Sequence, residues 1–304
     1  MSRRDSYGRA TRWAVLAPPV VFLVALFVIP FLLIARISLS HSVRAQPPYA
    51  PQYEGGGVAG AWRLIGELDL ENYATILSDD LYLSAFLTSL RIAGIATLLL
   101  LLIGYPMAYG MARARASLRP ILLALMIVPF WTSFLIRIYA WIGILKADGL
   151  INQALLALGL IGAPLEILNT EAAIFIGVVY AYLPFMVLPI YAVLAAQDRA
   201  LLEAAADLGA PPWLSFWLVT VPLSFPGVAA GCLLVFIPCV GEFVIPDLLG
   251  GSETLMIGRQ LWSEFFGNRD WPTASAIAVL MVIVLIIPFL LLRRLESRGE
   301  EALR

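Results

Sequence analysis

Charge is what this chain has least of: 13% of its 304 residues are Asp, Glu, Lys or Arg, against 61% hydrophobic. Soluble domains carry about twice that charged share. There is one lysine, Lys146 in IGILKADG, and one histidine, His41. A phosphate-cradling loop of the G-x-x-x-x-G-K-[ST] kind needs a lysine among glycines, and Lys146 has no such setting, which excludes a nucleotide site of that type. A histidine-based metal centre or a Ser-His-Asp triad is hard to build from a lone loop histidine, so no metal, catalytic residue or cofactor is expected. Cys232 and Cys239 share one apolar segment, where burial leaves thiols inert, and they are silent about redox compartment. An enzyme acting alone is thereby disfavoured, and nothing points to nucleic acid. A transport or channel subunit is the natural class, and if ATP drives it another chain must hydrolyse the ATP.

What is abundant is hydrocarbon. About 20 consecutive apolar residues span a bilayer, and six segments qualify: Trp13 to Ile34, Phe86 to Met111, Ile121 to Leu145, Ala172 to Leu194, Gly227 to Leu249 and Ala274 to Leu292. Arginine placement then orients them. Arg3, Arg4, Arg9 and Arg12 precede the first span, Arg113, Arg115 and Arg119 fill the second loop, and Arg293, Arg294, Arg298 and Arg304 follow the last span. By the positive-inside rule these regions are cytoplasmic. The loops from Arg36 to about Ala85, Lys146 to Glu171 and Gly250 to Pro272 carry more acids than bases and fall outside. Arg3-Arg4 could open a twin-arginine export signal, but the apolar run is too long and no small-residue cleavage site follows, so it reads as a retained helix.

The expected organisation is an all-α membrane protein with both termini cytoplasmic. It comprises a tail (1–12), a first transmembrane helix (13–35), an outer loop (36–85), a transmembrane core (86–292) holding a cytoplasmic loop (198–222), and a tail (293–304). Within the outer loop, AQPPYAPQYEGGGVAG is Pro/Gly-rich and expected to be irregular. Tyr73, Ile76 and Leu77 are then spaced for one helical face.

LLEAAADLGAPPWLSFWLVTVP, Leu201 to Pro222, begins instead like a soluble amphipathic helix. Asp198 is placed to cap it, and Leu201, Leu202, Ala205 and Leu208 share a face. Gly209 suits a left-handed C-terminal residue, and Pro211-Pro212 forbid continuation. Two short helices at an angle are expected, Arg199 to Leu208 and Pro212 to about Leu218. An interfacial membrane helix would favour a basic polar face, whereas this one carries Glu203 and Asp207.

Glu203-Ala204-Ala205, three residues, Gly209, nine residues, then Val219-Thr220-Val221-Pro222 resembles the E-A-A…G…I-x-L-P loop of bacterial ABC-importer permeases, with valine at both aliphatic positions. PFWTSFLIRIYAWIGIL, GVVYAYLPFMVLPIY, LVFIPCVGEFVIPDLLGG and MIGRQLWSEFFGNRDWPTASA are similar to polyamine-transporter permeases, the putrescine kind above all. The resemblance runs from about Asn72 onward. It implies the MetI-like permease fold in a bacterial inner membrane, with Glu203, Ala204, Ala205, Gly209 and Pro222 docking an ABC ATPase homodimer. It further implies a second, homologous permease subunit and an extracytoplasmic polyamine-binding protein as partners.

A polycation's path should offer carboxylates and aromatic faces. Glu242 in CVGEFVIPD is the sharpest candidate, since ionisable residues in spans are costly and face cavities or partners. Pro238, Gly241 and Pro246 around it predict a broken helix, a device that lines cavities. The alternative is a structural ion pair of Glu242 with Arg137 or with the partner subunit. Asp247 lies nearer the membrane edge, and Arg91 is expected to reach the outer interface. Arg137 would repel a cation on its route and is expected to form a structural or gating pair. Trp131, Tyr139, Tyr180 and Tyr182 could add cation-π contacts, or simply form aromatic belts and bundle packing. FFGNRDWP, Phe265 to Pro272, reads as an outer turn that could touch the binding protein. A proton-coupled secondary transporter working through Glu242 is the rival function, as is a permease for another small cationic or amino-acid-like solute; a structural membrane subunit would show no flux.

Overall fold

The structure is a computed structural model that describes residues 15–53, 55, 57–198, 200–251 and 254–302. The tail at 1–12, Arg199, and the side chains of Arg293, Arg294, Arg298 and Arg304 lie outside the described residues. Val15–Ile37 (α1) leads to a two-stranded antiparallel hairpin, His41–Ser42 (β1) and Tyr49–Ala50 (β2). Gly57–Gly66 (α2), Glu71–Ser78 (α3), Asp80–Arg113 (α4), Arg119–Ile127 (α5), Phe134–Leu145 (α6), Leu150–Ala157 (α7) and Glu171–Ala196 (α8) follow. Ala200–Asp207 (α9), Pro212–Val240 (α10), Val244–Leu249 (α11), Ile257–Trp262 (α12) and Trp271–Ala302 (α13) complete the order.

Among the described residues, five helices are long and apolar enough to cross a membrane: α1, α4, α8, α10 and the Trp271–Leu290 part of α13. The third expected span is not one rod. Arg119–Trp131 and Phe134–Ala157 meet at 90°, and six spans result when this bent pair counts as one. The bend follows a single 3₁₀ turn, Val128–Trp131, with Pro129 inside it. Thr132 and Ser133 are then extended, and the Thr132 hydroxyl donates to the Pro129 carbonyl at 2.8 Å. Side chain and proline together supply backbone satisfaction that a bent segment in lipid would lack.

The chain separates into two compact units, Met1–Asp79 with Leu261–Ile283, and Asp80–Gln260 with Val284–Arg304. In the first, none of the apolar span of α1 is buried. The Pro/Gly-rich stretch expected to be irregular is only partly so: it supplies Tyr49–Ala50 as the second strand of the hairpin, and its last residues open α2. Asn72 Nδ2 donates to the carbonyls of Ser38 (2.9 Å) and Ser40 (2.8 Å), and Tyr73 Oη meets Ser38 Oγ at 2.6 Å. Of the face expected on α3, Tyr73 is drawn to Ser38 and Ile76 is buried, while Leu77 is exposed. Phe265 of the expected outer turn stacks on Trp271 with centroids 5.1 Å apart.

The second unit is built on α4, α8 and α10. Ala96, Leu100, Met186, Val187, Ile190 and Val235 form its buried centre. Small residues bring the backbones together: a Cβ at Gly227 would stand 2.8 Å from the Pro189 carbonyl, and one at Gly231 3.0 Å from that of Met186. Such contact is how helices associate where lipid offers no hydrophobic drive. Tyr105 Oη and Ser224 Oγ, 2.9 Å apart, join α4 to α10, and Arg91 pairs with Glu171 at the start of α8.

Candidate coupling loop and the break in the fifth span

The loop after α8 is set by local chemistry. Asp198 Oδ1 accepts the Ala200 N–H at 3.0 Å, which satisfies one of the free donors at the start of α9. At its other end Gly209 takes φ +79°, the left-handed region that glycine enters without penalty. The Ala210 N–H then reaches the Ala205 carbonyl (3.0 Å) and the Gly209 N–H reaches Ala206 (2.9 Å), the paired bonds of a Schellman ending. Pro211 is extended, and Pro212 opens the next helix, where its missing N–H costs nothing.

That next helix does not stop near Leu218. It passes through one π turn, Phe216–Thr220, and continues to Val240, so α9 is fastened directly to the fifth span. The turn is anchored: Phe216 meets the edges of Tyr105 and Tyr109 at 6.0 and 5.3 Å, and Gln197 Nε2 donates to the Thr220 carbonyl. Half-buried Leu202 and exposed Ala206 line a cavity of 330 Å³ shared with Tyr109, Arg113 and Phe216. Outward stand Leu201, Glu203, Ala204 and Leu208, the last 89% exposed. The single apolar face expected of α9 is therefore split, with Leu202 and Ala205 half-buried and Leu201 and Leu208 bare. Gly209 and Pro222 are also exposed.

The fifth span breaks at Gly241 to Phe243, between α10 and α11. Glu242 lies in the break and is 8% exposed. Its Oε1 accepts the N–H groups of Val244 (3.0 Å) and Ile245 (3.3 Å), and Tyr182 Oη donates to its Oε2 at 2.5 Å. A carboxylate at a helix start satisfies free donors and opposes the positive end of the helix. Beside it, Gly258 of α12 is pressed onto the break: a Cβ there would sit 2.4 Å from the Gly241 carbonyl oxygen. The Ile257 N–H, fully buried, donates to Ser89 Oγ at 2.8 Å. Asp247 of α11 pairs with Arg259 at 3.0 Å.

Arg137 does not pair with Glu242, whose oxygens are already occupied by Tyr182 and the backbone. Its guanidinium lies 4.3 Å from the centre of Phe130, 5.8 Å from Phe134 and 6.0 Å from Tyr180. Tyr180 also meets Trp141 at 5.4 Å. A series of ring contacts, Tyr182 to Phe185 (tilted, 6.0 Å) and Phe185 to Phe130 (edge-on, 6.1 Å), runs from the Glu242 side to the Arg137 side. Trp131 and Tyr139 are 84% and 58% exposed, and neither joins these ring contacts among the described residues. The structure thus brings Glu242 to Tyr182, and Tyr180 to Arg137, while Asp247 is held by Arg259. Sequence reading passed over Ser89, Phe130, Phe185, Gly258 and Arg259, whose roles come from distant segments. Only the glycine signalled a close approach.

Five long apolar helices and one bent pair among the described residues, a span broken around a buried acid, and an acid-bearing helix left bare between spans are features of a membrane transport subunit. Residues 100–299 match the family described as "Binding-protein-dependent transport system inner membrane component". The spermidine/putrescine transport system permease protein PotB of Haemophilus influenzae is 45% identical over 220 residues, 72% of this chain and 77% of that protein. Its Escherichia coli counterpart is 46% identical over 216 residues, 71% and 78% of the two chains. Among solved structures, a chain of a bacterial alginate ABC transporter superposes with TM-score 0.70 at 15% identity, over 97% of this chain and 96% of that one. A chain of the MetNI methionine transporter gives 0.57 at 16% identity, over 72% and 96%. The chain belongs to the ABC-importer family of inner-membrane permeases.

Proposed function

We propose that this chain is the permease subunit of an ATP-driven importer that carries polyamines, putrescine or spermidine, across the bacterial inner membrane. Its named relatives, at 45 and 46% identity, supply the substrate class. The observation that carries the mechanism is the rigid joint between α9 and α10. An exposed acid-bearing helix, capped at both ends and joined to a span through only Leu208 to Pro211, transmits force from whatever binds it. Glu203, Ala204, Ala205, Gly209 and Pro222 form the surface that meets one ATPase of a cytoplasmic pair, and both termini lie on that side. A second, homologous permease completes the path, and an extracytoplasmic polyamine-binding protein delivers the substrate.

ATP binding closes the ATPase pair and shifts the bundle from inward-open to outward-open; each ligand moves that equilibrium only by its differential affinity for the two states. Glu242 and Tyr182, at the broken helix, supply the acid and the ring that a passing ammonium meets. The test is uptake into proteoliposomes holding the complete complex. ATP-dependent accumulation of labelled putrescine or spermidine is expected, insensitive to an uncoupler. Uptake that persists without ATP and collapses with the uncoupler would make the chain a secondary transporter.

A further inference from the structure

A guanidinium inside a span is costly and ordinarily finds acceptors. Arg137 lacks them on two of its nitrogens, since Nε and Nη1 are buried and have no hydrogen-bond partner among the described residues. What surrounds the charge is aromatic, with Phe130, Phe134 and Tyr180 all within 6.0 Å of it. Ring faces are negative, so three rings converging on one point make a cage for a cation of any origin. We infer that Phe130, Phe134 and Tyr180 form a binding subsite for a primary ammonium group of the substrate, and that Arg137 is a tethered cation occupying it while substrate is absent. The inference rests on the polyamine-import reading above.

Three observations support the assignment. Held by rings without acceptors on Nε and Nη1, the guanidinium sits in a shallower well than a hydrogen-bonded one would. Leaving the cage lets it recover those bonds with water or carbonyl oxygens, so a small ammonium can take its place at little cost. Phe130 and Tyr180 also line an apolar cavity of 500 Å³, with Pro106, Met107, Met126 and Pro184, which suits the methylene chain of a diamine. From Phe130 the ring contacts lead through Phe185 to Tyr182 and Glu242, a carboxylate for a second ammonium. Arg137 then sets specificity by competition: only a ligand with a charge to replace its own gains the site.

The experiment measures equilibrium binding of labelled putrescine to the purified permease–ATPase complex without binding protein. Arg137→Met is expected to tighten Kd about ten-fold, the scale of a desolvated cation-π contact. Adding Phe130→Leu in the same chain is expected to cancel the gain. Should Arg137→Met fail to assemble, Tyr180→Leu alone is expected to weaken binding about five-fold. An unchanged Kd in either single variant, or a gain that survives Phe130→Leu, overturns the subsite. A wild-type complex that imports putrescine with its binding protein but binds none without it overturns the subsite and leaves the import reading standing. A complex that imports no polyamine overturns both.

Discussion

Glu203 and Glu242 stand before and after the same long helix, α10, and the structure treats them in opposite ways. Glu203 is bare, on a helix fixed at one end by the Asp198 cap and at the other by Gly209. Glu242 is buried, with both oxygens taken by Tyr182 and two backbone N–H groups. A rigidly held but unused charge is placed for another molecule, whereas a fully bonded charge holds its own backbone in shape. On the proposed function the first glutamate serves assembly and coupling, while the second shapes the broken span and offers its carboxylate to a passing ammonium.

Charge reversal at the exposed acid separates the two most strongly. Glu203→Lys is expected to lower ATP-dependent uptake about 100-fold, the scale for reversing a charge at a protein interface. Thermal unfolding of the isolated permease is expected to stay unchanged. Glu242→Ala should do the reverse: it strands the Tyr182 hydroxyl and the Val244 and Ile245 N–H groups, for about 2–4 kcal/mol of stability. ATPase co-purification is expected to persist wherever the variant folds. Glu242→Gln keeps an oxygen for the Val244 and Ile245 N–H groups but sets a donating NH2 against the Tyr182 hydroxyl, which must turn to accept, and is expected to cost about 1 kcal/mol in the same unfolding assay. Gly258→Val probes the break without touching the acid. With a Cβ 2.4 Å from the Gly241 carbonyl, the backbone must shift, a strain of about 1–3 kcal/mol.

The coupling loop was legible from sequence because its signals are local: an Asx cap, a glycine and two prolines act within a few residues of where they stand. Its exit was not, since nothing in Phe216 to Thr220 marks a π turn that lets the second helix run into the membrane. The broken fifth span could be read from Pro238, Gly241 and Pro246, but the bent third one could not. There Pro129 and Thr132 sit in an apolar run that hides the bend. Partners across the bundle were beyond reach for a different reason. Tyr182 meets Glu242 across 60 positions and Ser89 meets Ile257 across 168, and no short pattern records either.

The measurement that bears most directly on the coupling claim is maleimide labelling of Ala204→Cys, with Cys232 and Cys239 replaced by serine. Ala204 is exposed on α9 beside Glu203. The cysteine is expected to react readily in the permease alone and to be protected, about ten-fold or more, once the ATPase subunits bind and bury it. Equal labelling rates in the isolated permease and the assembled importer would show that this helix faces no ATPase and would contradict the account.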